Sequence, residues 1–535
     1  MKTILLTLIA VLFIYSQCYS NNLQVGSGTL TGQNVTSNYT NVQFDLYWDN
    51  SWRDAVNWDA VWIFVKYKST YDSTWNHATL SNSASYHIVP SGFTVSPVTP
   101  GVGVFIYRSS NGNGSVSLDD VQLRWIYGSD GLNDADLVEV KVFGIEMVYV
   151  PEGSFYAGDG TTSNVAGQFS AGNTTSPFLI TGEGLLTLGG TSTSNLGNRN
   201  ASGMAVLDDF NFTTIQTLPA AFPKGYDQFF CMKYEISQGQ YTDFLNTLTR
   251  YKQNQRTETD VSTDVIPTIY VMSNGGFIQV RNVIRCPFSG NGTTEPIVFS
   301  CNRPDRASNY LSWPDGCAYL DWAGLRPMTE LEFEKACRGP LIPVADEFAW
   351  GTNTICPDAN LTISGTENGT EYITTDVSLG GCCYGNNNPH FGGDGSTGPL
   401  RCGIFARSTT TRISSGATYY GIMEMSGNVV ERTASVSSSY GRNFTGLHGD
   451  GELSVNGHAN VTNWPGLSGG EVTVSNGANW RCGSFFQESS LNRISDRYRG
   501  AYWNATRVSY FGYRGVRSTT VISDKLMRKK DSNNR

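Results

Sequence analysis

The sequence predicts a protein of two parts, in which an all-β domain precedes a larger α+β domain. Alternating apolar and polar residues fill the first part of the chain, and short amphipathic helices with N-cap residues mark the second. The 58 glycines and 12% aromatic residues fit turns and short strands. The length of 535 residues exceeds one ordinary domain, so more than one is expected.

The first element is a predicted signal peptide at residues 1–20. Lys2 precedes an apolar run from Ile4 to Ile14 that is short for a membrane span, and a small-residue cleavage pattern ends at Ser20. A genuine anchor and lipidation of Cys18 are the alternatives. Cleavage near Ser20 predicts a secreted or extracytoplasmic protein without a transmembrane anchor. Whether the protein associates with the cell surface stays open.

Residues 21–144 predict a β-sandwich domain. Segments 42–46, 61–67 and 121–127 alternate apolar and polar residues, and Gly, Asn, Ser and Pro clusters separate them. Four tryptophans of this domain could stack against sugar rings, although packing in the core is the favoured interpretation: Trp48, Trp52, Trp58 and Trp62.

Residues 145–520 predict the α+β domain, whose helices carry clear start signals. Ser237 is a predicted N-cap for an amphipathic helix from Gln238 to Thr249. Ser312 precedes a second helix that stops at Gly324. Thr329-Glu330-Leu331-Glu332 forms a capping box that opens a third helix.

Two further segments of the chain are expected to contribute little to a core. Residues of about 159–200 are rich in Gly, Ser and Thr, which predicts a long surface insertion. Residues 521–535 form a basic, polar tail that we expect to be flexible.

Charge excludes one class of partner. The chain has 37 Lys and Arg against 46 Asp and Glu, a formal net charge of −9. Nucleic-acid binding depends on a positive field that attracts phosphates, so no nucleic-acid partner is expected.

The cysteines predict disulfides. An oxidising compartment and an even set of ten cysteines after Cys18 make disulfides the default, although the sequence cannot decide their pairing. No Cys or His spacing indicates a zinc site.

Seven segments of the larger domain carry recognisable residue patterns: 147–155, 234–237, 311–319, 325–339, 348–351, 420–433 and 512–517. In this order they resemble the formylglycine-generating enzyme or sulfatase-modifying factor domain family. The resemblance covers about residues 145–518 and implies a C-type-lectin-like fold. The predicted N-terminal sandwich lies outside it.

The resemblance also implies where catalytic thiols would lie. Enzymes of this family use copper and oxygen to oxidise a sulfatase cysteine to formylglycine, with two cysteines placed after an Arg-Gly-Gly-Ser-like segment. That segment is 481–484 here, and the matching positions hold Gln487 and Asn492. An amide side chain is neither a soft copper(I) ligand nor a redox thiol. We therefore expect no catalytic residues of the family type and no copper.

Calcium is the cofactor that the resemblance favours, in a structural role. The family binds calcium through oxygens of a Gly-Asn-Val-x-Glu segment, and Asn428 and Glu431 keep those two types at that spacing. A looser match to a second family site is Asn360 with Asp394. The alternative is that these side chains only brace their loops by hydrogen bonds.

Two functions compete at this stage. The favoured one is a non-catalytic binding or structural module with a protein or glycan ligand of unknown identity. Its recognition patch is predicted from Tyr, Trp, Arg and Asn side chains in one segment: Asn492, Arg497, Arg499, Tyr502 and Trp503. Arg497 and Arg499 could instead form structural pairs. The alternative function is a copper-dependent oxidase that generates formylglycine with thiols moved elsewhere, such as Cys382 and Cys383.

Overall fold

The computed structural model describes residues 16–17, 22–70, 74–163, 165–289, 292–357, 361–364, 366–385 and 397–518. Most of the predicted signal peptide and the whole predicted tail at 521–535 lie outside these residues. The described strands, in chain order, are β1 (Ser16–Gln17), β2 (Gln24–Val25), β3 (Thr29–Asn34), β4 (Tyr39–Arg53), β5 (Asp59–Ser69), β6 (Asn76–His77), β7 (Phe93–Pro97), β8 (Val104–Arg108), β9 (Gly112–Trp125), β10 (Val138–Val150), β11 (Phe155–Ala157), β12 (Phe169–Ala171), β13 (Phe178–Ile180), β14 (Leu186–Leu188), β15 (Leu196–Asn198), β16 (Gln216–Leu218), β17 (Phe229–Met232), β18 (Arg326–Pro327), β19 (Ile363–Ser364), β20 (Tyr372–Ile373), β21 (Glu431–Ala434), β22 (Leu467–Ser468), β23 (Glu471–Val472), β24 (Ala478–Arg481) and β25 (Gly515–Ser518).

The helices of the described residues are short. The α-helices are α1 (Gln238–Leu245), α2 (Arg250–Arg256), α3 (Trp313–Trp322), α4 (Glu330–Arg338), α5 (Arg412–Ser415) and α6 (Ser439–Arg442). Single 3₁₀ turns lie at Ala84–Tyr86, Tyr127–Asp130, Ala201–Gly203 and Ser489–Asn492. None of the helices in the described part of the chain is long and apolar enough to cross a membrane.

Two sheets face each other in the N-terminal part of the chain. One contains β4, with β2 and β3 along one edge and β9 along the other. The second sheet contributes β5 and β8, and side chains of both sheets share one buried cluster that includes Phe44, Trp48, Ile63 and Ile106. The alternating pattern of the sequence thus places one face of each strand in a common core.

The second sheet also joins the two predicted domains. Its order is β18-β25-β17-β10-β5-β8-β7. Strand β10 runs across residue 144, the predicted boundary, and pairs with β5 on one side and with β17 on the other. Backbone hydrogen bonds therefore connect the N-terminal part of the chain to the larger region that follows.

The four N-terminal tryptophans pack against the rest of the protein. Trp48 and Trp62 are fully buried. Trp58 stacks on Tyr149 with ring centroids 3.9 Å apart, and Trp52 packs against a core cluster of the larger region. Packing, the favoured interpretation, is what the structure shows for these residues.

All three predicted helices begin where expected, and two of them also end where expected. Ser312 and Thr329 both make complete capping boxes, and Gly339 ends α4 in the left-handed region. The helix at Ser237 also has its capping box but ends at Leu245 rather than Thr249. Asn246 is its C-cap, and the Thr247 hydroxyl donates to the carbonyl of Phe244. A second helix, α2, then starts after Thr249.

The Gly-, Ser- and Thr-rich segment contributes more to the core than its composition predicts. Strands β11 and β13 pair with each other, and β12, β15, β14 and β16 form a small sheet. Each short strand buries one or two large side chains, among them Phe169, Ile180, Leu188 and Leu196. Few apolar residues suffice because most of those in this segment point inward, although Leu179 and Leu185 are exposed.

The structure does not show the predicted disulfides. All ten cysteines from Cys231 to Cys482 are free thiols, and nine of them are buried. They lie in separate core clusters: Cys317 in one, Cys231 and Cys482 in another, and Cys383 in a third. A buried free cysteine packs as a small apolar residue, which is the role these residues have here.

Candidate functional site

A pair of short strands frames the candidate site. Strands β21 and β24 pair antiparallel, with Arg432 opposite Trp480 and Glu431 opposite Arg481. The loop after β24 turns back at Cys482, whose backbone is left-handed (φ 70°), and ends in the 3₁₀ turn at Ser489–Asn492. This loop is the segment to which the sequence analysis assigned Gln487 and Asn492.

A small pocket of about 20 Å³, room for about one water molecule, lies between this loop and β24. Its lining includes Val430, Trp480, Gln487, Asp496, Tyr498 and Arg499. Asp496 accepts a hydrogen bond from the backbone N–H of Tyr498, and burial by the surrounding protein raises the pKa of this carboxyl to about 7. The pocket therefore combines aromatic walls with one carboxyl group and two arginines, Arg481 and Arg499.

The cysteines nearest this loop are protonated and enclosed. The Cys482 thiol donates to the carbonyl of Val429 at 3.4 Å, and the Cys382 thiol donates to that of Ser426 at 3.2 Å. Burial raises the pKa of Cys382, Cys383 and Cys482 above the ordinary thiol value, and none of the three lines the pocket. Copper(I) binding needs accessible thiolates. These three cysteines do not fit a copper site where the structure places them.

Asn428 lies in the protein interior, where its side chain is already hydrogen-bonded. Its Oδ1 accepts from the backbone N–H of Leu400 at 2.8 Å, and its Nδ2 donates to Glu235 at 2.6 Å. Its backbone is left-handed, with φ 60°. The side chain thus holds three segments together, as the bracing alternative expects.

Glu431 belongs to a buried cluster of three carboxylates. Its Oε1 accepts from Arg514 Nε at 2.7 Å, while its Oε2 and that of Glu424 have no hydrogen-bond partner. Burial raises the pKa of Glu235 and Glu431, against the opposing charge of Arg514, and raises that of Glu424 to about 7. Within the described ranges, no group of three or more His, Cys, Asp or Glu side chains is placed to hold a metal ion. Asn360 and Asp394, the looser pair, lie outside the described residues.

Comparison with known protein families places most of the chain in one family. Residues 139–519 match the family model of the sulfatase-modifying factor enzyme 1-like domain. The chain belongs to this family. No curated protein matches it. The match begins in β10 and ends one residue beyond β25, so all strands of the first sheet lie before it.

Within this sulfatase-modifying factor domain, the two positions matching the catalytic thiols have different environments. Gln487 is half-buried and lines the pocket. Asn492 is fully buried, and its Nδ2 donates to the carbonyl of Glu488 at 2.8 Å. Its side chain also packs so closely on Gly483 that a Cβ there would lie 2.4 Å from Asn492 Oδ1. Asn492 therefore shapes the loop from inside and is removed from the predicted recognition patch.

Arg497 also lies inside the protein rather than on the predicted patch. Its guanidinium is fully buried, bonds Asp208 at 2.8 Å and Glu330 at 2.7 Å, and stacks on Phe169. Glu330 bonds Arg481 as well, at 3.1 Å. These residues form a buried charge network of Asp208, Glu330, Arg481 and Arg497. Arg497 thus has the structural role that the sequence analysis left open.

The other three patch residues lie at or near the surface. Arg499 is placed over the ring of Trp480 at 4.3 Å and over that of Tyr502 at 4.8 Å. Trp503 is 39% exposed and packs edge-on against Tyr440, which is 56% exposed. Two groups, Tyr440 with Trp503 and Arg499 with Tyr502 and the buried Trp480, are adjacent along the chain at Tyr502 and Trp503. The five residues are together called the aromatic surface.

Sequence reasoning missed two members of this surface. Trp480 lies in a four-residue strand whose residues are all buried, so alternation along the strand gives no signal for it. Tyr440 lies in a helix of four residues far from Trp503 along the chain, and no local signal links the two. Only the folding of the chain brings them together.

Proposed function

We propose that this protein is a secreted, non-catalytic member of the sulfatase-modifying factor family that binds a protein or glycan ligand at its aromatic surface. The observation that carries the proposal is the replacement of both thiol positions by Gln487 and Asn492. The buried and protonated state of Cys382, Cys383 and Cys482 supports it, because no accessible thiolate takes over the missing role.

The chemistry of the aromatic surface supports a binding role. Aromatic faces pack against sugar rings and apolar side chains, and an arginine stacked on them offers directed hydrogen bonds. Three N–H groups at the pocket have no partner within the described structure: Trp480 Nε1, Arg481 Nε and Arg499 Nε. Because unpaired buried donors are costly, an occupant that brings hydrogen-bond acceptors would be favoured. Sugar hydroxyls and peptide carbonyls both supply them.

The N-terminal part of the chain has a supporting role in this proposal. We propose that its two facing sheets form a β-sandwich that is held rigidly to the family domain, because β10 belongs to both. Asn57 also donates to the carbonyl of Tyr420 at 2.7 Å across the junction.

Calcium enters the proposal as a structural ion near Asn428 and Glu431. The support is an excess of buried carboxyl groups that a cation would keep ionised, since Glu235, Glu424 and Glu431 all interact with the same arginine, Arg514. The unpartnered Oε2 of Glu431 would be one ligand, and the Asn428 Oδ1 has a second lone pair. Backbone carbonyls or water would have to complete the shell, which calcium accepts.

Thermal melting tests the calcium assignment. The secreted protein is expected to melt at a higher temperature with calcium than with a chelator, because binding to the folded state alone stabilises it. Glu431→Gln should remove most of that difference. The control is Glu488→Gln, an exposed acid outside the cluster, which should keep it. Equal melting temperatures with calcium and chelator would remove calcium from the proposal.

Mass spectrometry of a Cys-x-Pro-x-Arg peptide tests the absence of catalysis. The copper-loaded protein is incubated with the peptide, oxygen and reductant, beside an active family enzyme as control. No formylglycine is expected. Conversion of the peptide would instead establish the copper-dependent oxidase, and loss of that conversion in Cys482→Ala would identify the thiol responsible.

A glycan array and a peptide array test the binding surface directly. Arg499→Ala is expected to lose the ligands that the unmodified protein retains. Arg407→Ala is the matched control, because Arg407 also lies over an aromatic ring, that of Tyr372 at 4.9 Å, but away from the pocket. Retention of every ligand by Arg499→Ala would place binding elsewhere on the protein.

A further inference from the structure

One short motif, Asn-x-Ser/Thr, recurs along the chain. Twelve asparagines are followed, two residues later, by Ser or Thr with no proline between them. This triplet is the acceptor for N-linked oligosaccharide in proteins that enter the secretory pathway. Ten of the twelve lie within the described residues, while Asn291 and Asn360 lie outside them.

Every described triplet asparagine lies outside the buried part of the fold. Seven asparagines of the described ranges are buried, and none of them begins such a triplet: Asn57, Asn198, Asn282, Asn309, Asn428, Asn479 and Asn492. All ten described triplet asparagines are exposed or half-buried. Three are in the N-terminal sheets (Asn34, Asn38 and Asn113), three in the segment of small strands (Asn173, Asn200 and Asn211), and four farther on (Asn368, Asn443, Asn460 and Asn504).

Burial is the property that decides whether a glycan is tolerated. An oligosaccharide attached to a buried asparagine would have to be placed in a close-packed core, which would prevent folding. A glycan on an exposed asparagine extends into solvent and disturbs no packing. The observed placement is therefore what attachment at the triplets requires.

Three of the triplets also have a shared local geometry. The Thr hydroxyl donates to the Asn Oδ1 at 2.9 Å in Asn211–Thr213, at 2.7 Å in Asn368–Thr370 and at 2.6 Å in Asn504–Thr506. The backbone N–H of the same threonine donates to the same oxygen. Both bonds lie within three residues and need no tertiary contact, so this turn can form in a nascent chain.

We propose that the protein is N-glycosylated, with Asn211, Asn368 and Asn504 as its principal acceptors. In the transfer, the Asn Nδ2 bonds to C1 of an oligosaccharide carried on a lipid pyrophosphate. The bond from C1 to the pyrophosphate breaks, the amide loses one proton and the lipid pyrophosphate leaves. The inference rests on the secretion that the proposed function assumes, because donor and transferase belong to the secretory pathway.

One acceptor lies at the edge of the aromatic surface. Asn504 directly follows Trp503, and its backbone carbonyl accepts from Arg432 at 2.9 Å. Asn443 lies three residues after Tyr440, the partner of that tryptophan. Glycans at these two positions would border the binding surface and limit the ligands that can approach it.

Mass mapping of the secreted full chain tests the proposal. The protein is expressed with its own signal in eukaryotic secretory cells and treated with peptide N-glycosidase in heavy-oxygen water, which converts each occupied Asn to labelled Asp. Labelled Asp is expected at positions 211, 368 and 504. Thr506→Val should abolish the label at position 504, whereas Thr506→Ser, which keeps the hydroxyl, should retain it.

The possible results separate this inference from the proposed function. A secreted protein that carries no label at the three positions would overturn the glycosylation while leaving secretion intact. An unlabelled protein that stays in the cytosol would overturn both. Label at position 504 that survives Thr506→Val would show attachment independent of the triplet and contradict the argument.

Discussion

Arg497 and Arg499 are two residues apart, yet they belong to regions of opposite character. Arg497 is fully enclosed in the buried charge network, with carboxylates of Asp208 and Glu330 within 2.8 Å. Arg499 has no ion pair among the described residues and lies on the rings of the aromatic surface. One region holds the fold together and the other is available to a ligand, so residue type alone does not determine an arginine's role.

The pKa of Glu330 shows the effect of the cations in the buried charge network. Burial would raise the pKa of Glu330, but the guanidiniums of Arg497 and Arg481 outweigh burial and hold it below the ordinary value. Asp321 has no ion-pair partner within the described structure, and burial, with the nearby charge of Asp450, raises its pKa to about 8. A buried acid thus needs an adjacent cation to stay ionised.

The largest effect is expected from breaking the buried network. Arg497→Ala leaves Asp208 and Glu330 without their shared cation inside the protein. Loss of one partner of a buried pair typically costs about 3–5 kcal/mol. Urea unfolding of the variant should show that loss in the free energy of unfolding. A loss below ~1 kcal/mol would mean that the network does not hold the fold.

An effect that depends on pH, and that is smaller within any one pH unit, is expected at Asp321. The folded protein keeps the proton of this group up to about pH 8, whereas the unfolded chain releases it near its ordinary pKa of 3.8. The stability that this proton contributes is fully present below pH 3.8, the ordinary pKa. It falls as the pH rises and is fully lost once the pH has passed the folded-state pKa of about 8. One such proton changes the free energy of unfolding by up to ~1.4 kcal/mol per pH unit.

Asp321→Asn should therefore flatten the fall in stability between these two pKa values. The groups that face Asp321 do not obscure the test. Asp450 and Asn460 donate backbone N–H groups to its carboxyl. Burial lowers the pKa of Lys66 to about 8. The contribution of Lys66 to the free energy of unfolding therefore changes with pH above pH 8 and not below it. An unchanged pH profile in the variant would contradict the assignment.

The smallest effect is expected at the aromatic surface. Arg499→Ala removes a cation stacked on Trp480 and Tyr502, which is worth about 0.5–1 kcal/mol at an accessible site. The same urea measurement should show a loss in this range, close to that of Arg407→Ala. A loss as large as that of Arg497→Ala would indicate a structural arginine and erase the difference between the two regions.

The sequence predicted local elements better than it predicted burial. The capping boxes at Ser312 and Thr329 formed as expected, because each depends on residues within one turn. Family membership was also predicted, since the order of several short segments is a property of the sequence. Asn492 and Arg497 were misplaced because their polarity predicts a surface position, while carbonyl and carboxylate partners elsewhere in the chain hold them inside.

Sequence by itself determined the family, the amides Gln487 and Asn492 and the twelve Asn-x-Ser/Thr triplets, because each is a matter of residue type and spacing. Tertiary structure decided which polar residues are buried, that the cysteines are free thiols and that Tyr440 joins Trp503. The physical reason is the distance along the chain between the residues that define each feature. A turn or a motif is complete within a few residues, whereas burial depends on distant segments and the ion pair of Arg497 with Asp208 joins residues 289 positions apart.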